Sequence, residues 1–193
     1  MRITFVFVLL FMSGKVFAQS FTERITNQVN LLRQKNFSEI NSQISFVKMQ
    51  SSFDFFKTYP SIGEGILTKK DFVISYNEKF DDPNFKISDS ALRGVLAHEL
   101  AHIADFQQKS YFHLLEIGFY YLFFSQGESV KAYERKIDML VLCKGLGSDL
   151  LDFRNWLYGQ LNEKDVELKK QIYLTPEDIR TFDQKHCDQL KAL

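Results

Sequence analysis

His98-Glu99-Leu100-Ala101-His102 places two imidazoles and a carboxylate side by side in the chain. In a helix, positions four apart lie roughly 40° apart around the axis and about 6 Å along it. His98 and His102 would then project from one face and could give two nitrogens to one metal ion. Glu99, next to the first imidazole, could reach a water on that ion without ligating it. Zinc suits this set, because imidazole is a good ligand and a catalytic site needs three protein donors plus water. The chain has only 4 histidines, so two of them flanking a glutamate at this spacing form a specific signal.

The neighbours support a buried helix. Leu92, Leu96, Leu100 and Ile103 form an apolar stripe, which leaves the histidines on an adjacent, cleft-facing side. Ala91 and Gly94 are small and would leave room there for a ligand or another backbone.

A site of this kind needs a third protein ligand. The metzincin pattern requires a histidine at position 108 and a glycine at 105, but Gln108 and Asp105 stand there, so that pattern is excluded. In Tyr133-Glu134-Arg135-Lys136-Ile137-Asp138, Glu134 and Asp138 are four apart and share a helix face. One can bind the metal while the other hydrogen-bonds the outer nitrogen of a ligand histidine and fixes its tautomer. Asp105 and Glu116 are the rival third ligands. Asp105 shares the histidines' face, but three donors from one short helical run would crowd the ion against the backbone. Asp105 therefore reads as a group behind the ligands, at the cleft edge, or simply solvated.

With HELAH on one helix and ExxxD on a later one, the chain resembles the gluzincin metallopeptidases, particularly their small single-domain members. The resemblance covers about Asp71 to Cys143. It implies a zincin-like fold in which His98, His102 and Glu134 bind zinc, Glu99 is the general base and Asp138 orients a histidine. It also implies that the preceding strand, Phe72 to Tyr76, lies along the cleft rim and pairs with an extended substrate backbone. The transition-state stabiliser of the wider group is a Tyr or His reaching over the zinc. No motif marks it here, and Tyr133, Tyr173 and His186 are its candidates.

The elements that must position these groups are few strands followed by helices, an α+β order. Thr22 to Gln34 reads as an amphipathic helix, Ser45 to Met49 as a strand, and Ser52 to Thr58 as a short serine-capped helix. Pro60 to Gly65 is a loop, and Asp71 to Phe80 alternates as a strand. Ser88 or Asp89 can cap a helix to about Gln107, and further helices are expected over Val130 to Cys143 and Asp149 to Leu161. Thr175-Pro176-Glu177-Asp178 is a helix start. Lys164 to Lys170 reads as a solvated mixed-charge face, and His113 as a core or interface residue. Tyr111 to Phe124 is apolar. Its segment 119–124 could touch a membrane or line an apolar substrate pocket, but a packed helix is favoured and the stretch is too short to span.

The first eighteen residues read as a cleaved signal peptide: Arg2, an apolar run from Ile3 to Met12, and Val16 and Ala18 at the cleavage site. Residues 19–193 would form one domain, exported to the periplasm or the medium of a bacterium. In that setting Cys143 and Cys187 could form one bridge. The balance of 24 basic and 24 acidic residues excludes a general nucleic-acid binder. The leading expectation is a zinc-dependent peptidase acting on a peptide or protein. The alternatives are an exported helical binding module with a structural or vestigial zinc site, and a latent peptidase whose Leu174 to Leu193 tail fills its own cleft.

Overall fold

A computed structural model of the protein describes residues 20–61, 71–110 and 127–190. The signal peptide expected at 1–18, the tip of the Pro60 to Gly65 loop, His113, Glu116 and the apolar segment 119–124 lie outside the described residues.

The described architecture is α+β. Helix α1 (Phe21–Lys35) starts at Ser20, whose side chain and that of Glu23 form a reciprocal capping box, and it buries Ile25, Val29 and Leu32. Strand β1 (Ile44–Met49) follows, then β2 (Phe56–Pro60) and β3 (Phe72–Asn77). The helix expected over Ser52 to Thr58 is absent. Ser51 instead accepts hydrogen bonds from the backbone N–H groups of Phe53 and Asp54, which makes a turn. Asn77 Nδ2 donates to the carbonyls of Ser51 and Asp54 and ties that turn to the end of β3. Sheet pairing has overridden local helix preference.

The sheet order is β1-β3-β2. β1 runs parallel to β3 from Ile44 opposite Phe72, and β2 runs antiparallel to it from Phe56 opposite Tyr76. β3 is therefore central, buried along its whole length and paired on both edges. This corrects the expectation that Phe72 to Tyr76 lies on a cleft rim and pairs with substrate, since its backbone groups are already used.

Helix α2 (Asp89–Gln108) is capped by Ser88, which accepts from the Ala91 N–H, and is buried over most of its circumference. Helix α3 (Glu128–Cys143) ends where Gly145 takes φ 78°, a left-handed conformation that suits glycine. Helices α4 (Gly147–Gln160), α5 (Glu163–Ile172), α6 (Pro176–Arg180) and α7 (His186–Leu190) follow. α6 begins with a capping box between Thr175 and Asp178. No helix among the described residues is long and apolar enough to cross a membrane.

α2 packs against β2 of the sheet and against α1, α3 and α4. The room left by Gly94 is taken by backbone: a Cβ there would stand 2.1 Å from the Asp149 carbonyl oxygen. Part of the chain's phenylalanine content is used beside this crossing. Phe55, Phe80, Phe85 and Phe153 surround Trp156 with ring centroids 5.1–6.1 Å away, and the indole N–H donates to the Lys86 carbonyl. Cys143, at the end of α3, is disulfide-bonded to Cys187 on α7.

Candidate metal centre

The two histidines of α2 meet the glutamate of α3. His98 Nε2 lies 3.2 Å from His102 Nε2, and Glu134 Oε2 lies 3.2 and 3.3 Å from those two nitrogens. All three residues are buried, and the group could hold a metal ion. The close approach follows from helix geometry, because i,i+4 spacing stacks the imidazoles on one face while α3 packs across that face.

Asp138, one turn after Glu134, reaches the other side of His98. The Nδ1 of His98 donates to Asp138 Oδ1 at 2.8 Å, which turns Nε2 toward Glu134 and His102. Asp138 is held in turn from two further directions. Arg154 Nη2, from α4, donates to both its oxygens at 2.7 and 2.8 Å, and the Leu174 N–H donates to Oδ2 at 2.9 Å. A fully buried carboxylate is tolerable only when it is satisfied in this way.

His102 is positioned differently. Its Nδ1 is buried without a hydrogen bond among the described residues. Its ring clusters with those of Phe106 and Tyr133, whose centroids lie 5.6 Å from it and 6.3 Å from each other. Tyr133 is fixed by donating its hydroxyl to Asp105 at 2.6 Å. Asp105 also accepts from Lys109, with Lys136 3.7 Å away. Asp105 thus stands outside the ligand triangle and touches a residue that packs on a ligand, not the ligand itself.

The electrostatics match a cation site. Burial opposes ionisation of Glu134, yet the imidazoles of His102 and His98 hold its carboxyl well below the usual range. Burial likewise works against a charged His98, but hydrogen bonds to Asp138 and Glu134 raise it to about 10. Arg154 and His98 keep Asp138 low against the same desolvation. Two carboxylates therefore draw positive charge onto the imidazole face, which a proton or a metal ion could supply.

A small cavity of about 40 Å³ opens beside the triangle, lined by His98, Glu99, Arg154, Lys169 and Tyr173 together with the Phe53 to Phe56 segment. Glu99 faces it and has no side-chain hydrogen bond or ion pair among the described residues. Tyr173 packs its ring 5.6 Å from that of His98. Of the three candidate stabilisers, Tyr173 lines the cavity, Tyr133 has its hydroxyl on Asp105, and exposed His186, at the start of α7, donates to the preceding Asp183 carbonyl. The described tail from Thr175 onward does not line the cavity. Its α6 packs on α4 and its α7 on α3.

Two groups were not apparent from sequence. Arg154 carries no pattern that marks it. Lys169 was expected on a solvated face, but it is 5% exposed and salt-bridged to Asp54 at 3.0 Å. The signal was its spacing, since Val166, Lys169 and Ile172 fall on one face of α5. No protein-family model, curated protein or solved structure matches this chain.

Proposed function

We propose that His98, His102 and Glu134 hold a catalytic zinc ion and that the chain is an exported metallopeptidase of gluzincin type. The observation that carries this reading is the ligand triangle, whose edges are 3.2–3.3 Å. A regular tetrahedron with such edges has its centre about 2.0 Å from each corner, the distance at which zinc takes imidazole nitrogen and carboxylate oxygen. Two nitrogen donors argue against calcium or magnesium, which prefer oxygen.

Bound zinc would supply Lewis acidity and acidify a water to a pKa of about 7. The protein's own groups do the rest. Glu99, outside the triangle and facing the cavity, takes the proton and returns it to the leaving amine. Asp138, clamped by Arg154, keeps the His98 lone pair on the ligand side. Tyr173 is the candidate to hydrogen-bond the oxygen on which negative charge develops. β2 has one edge unpaired by the described strands and gives Phe56 to the cavity, so it replaces β3 as the strand that would take an extended peptide. The Cys143–Cys187 bridge and the signal-like residues 1–18 both suit an oxidising compartment.

The test is metal analysis and peptide hydrolysis by the purified chain. One equivalent of zinc with an exchangeable water, together with hydrolysis that Glu99→Gln removes, supports the peptidase. A zinc with four protein ligands and no exchangeable water supports the binding module instead.

A further inference from the structure

The cavity beside the metal centre is lined by two buried cations, whose pairing is incomplete, and by the carboxylates of Asp54 and Glu99. Lys169 and Arg154 are 5% and 1% exposed. Burying such charges is costly unless each is paired. Lys169 Nζ lies 3.0 Å from Asp54 Oδ1, but Lys57 Nζ takes the other oxygen of that carboxylate at 2.8 Å. Two ammonium groups thus share one carboxylate. Arg154 spends Nη2 on Asp138, a carboxylate it shares with His98, while its Nε is buried with no hydrogen bond among the described residues. Aromatic faces supply part of the remaining surroundings. Phe53 has its ring centroid 3.6 Å from Lys169 Nζ, and Tyr173 has its centroid 4.5 Å from Arg154 Cζ. These are weaker partners for a cation than an anion would be.

We infer that this wall is an anion subsite, in which Lys169, with Arg154 beside it, receives a carboxylate of the substrate. The inference rests on the peptidase reading and narrows it to acidic substrates. A peptide can offer the carboxylate from its free C-terminus or from an Asp or Glu side chain. No bond forms or breaks at the subsite. The anion supplies the counter-charge that Lys169 has to share, and it holds the neighbouring peptide bond at the metal.

Three N-acetylated tripeptides test this on the zinc-loaded full chain: one ending in Ala as the free acid, the same peptide as its amide, and an amide whose last residue is Glu. Calorimetry gives binding, and product analysis gives hydrolysis in parallel. At least one acidic peptide should bind about ten-fold or more tightly than the neutral amide, and the tighter of the two identifies the source of the carboxylate. Lys169→Met should erase the preference and Lys169→Arg should keep it. Equal binding of all three peptides overturns the subsite. So does a preference that survives in a natively folded Lys169→Met chain, which would put the carboxylate on the metal. If Lys169→Met does not fold, the zinc-free wild type decides, because a preference retained there cannot come from the ion and its loss overturns the inference. A carboxylate preference without hydrolysis sinks the peptidase reading and leaves the subsite standing. Hydrolysis without the preference does the reverse.

Discussion

Arg154 and Asp138 are joined through a single nitrogen, Nη2, which lies 2.7 and 2.8 Å from the two carboxylate oxygens. The bond ties α4 to α3 and, through Asp138, to His98 on α2. Arg154→Met would leave that carboxylate buried with one charged partner fewer, which costs about 3–5 kcal/mol when a buried pair is broken from one side. Urea unfolding should register the loss, and zinc affinity should fall with it. An unchanged affinity would show that Asp138 does not depend on Arg154.

Asp138→Asn keeps the shape but weakens the acceptor on His98. Zinc affinity should drop about 10–100-fold, the usual effect of removing a group behind a ligand. Competition with a chromogenic chelator measures it.

Glu99→Gln should retain zinc at wild-type stoichiometry while hydrolysis falls about 10²–10⁴-fold. His102→Ala should lose the ion itself. Full activity in the Glu99 variant would remove the general-base assignment.

The metal-free protein should have a distinctive pH profile. The His98 pKa is raised from 6.5 to about 10, so its stabilising contribution is complete below about 6.5 and is lost as pH climbs through about 10. Chelator-treated protein should melt at progressively lower temperature across that window. Zinc affinity should move the other way and rise with pH as the competing proton leaves Nε2. A flat melting temperature in the metal-free protein would contradict the assignment.

Gly94→Ala would force a methyl group to within 2.1 Å of the Asp149 carbonyl oxygen. Separating the two helices should cost about 1–3 kcal/mol or more. Ala at Gly159, where nothing lies within 4 Å, is the matched control and should leave the denaturation midpoint unchanged or higher.

The parts of this molecule that were legible in sequence are those set by spacing along one helix. His98 with His102 and Glu134 with Asp138 each sit four apart, and helical geometry alone aligns each pair. Ser88 and Thr175 announced their helix starts by the capping chemistry of their side chains. What was not legible depends on which element lies across from which. Phe56 to Pro60 is a strand because β3 offers it an edge, a fact about residues 72–77 and not about Ser52 to Thr58. Arg154 is buried because Asp138 is there to receive it, and nothing local to α4 says so. Lys169 reads as a surface charge by residue type, and only its helical position beside Val166 and Ile172 points inward.

The crossing at Gly94 bears on how tightly the centre can be tuned. Gly94 is one turn before His98, and Asp149 is little more than one turn before Arg154, so the pivot stands only about 6–8 Å from the ligand and from its remote clamp. With so short a lever, tilting one rod by a few degrees shifts His98 against Arg154 by about half an ångström. A missing side chain at one position thus acts as a fulcrum that keeps the spacing of His98 and Arg154 insulated from distortions elsewhere among the helices.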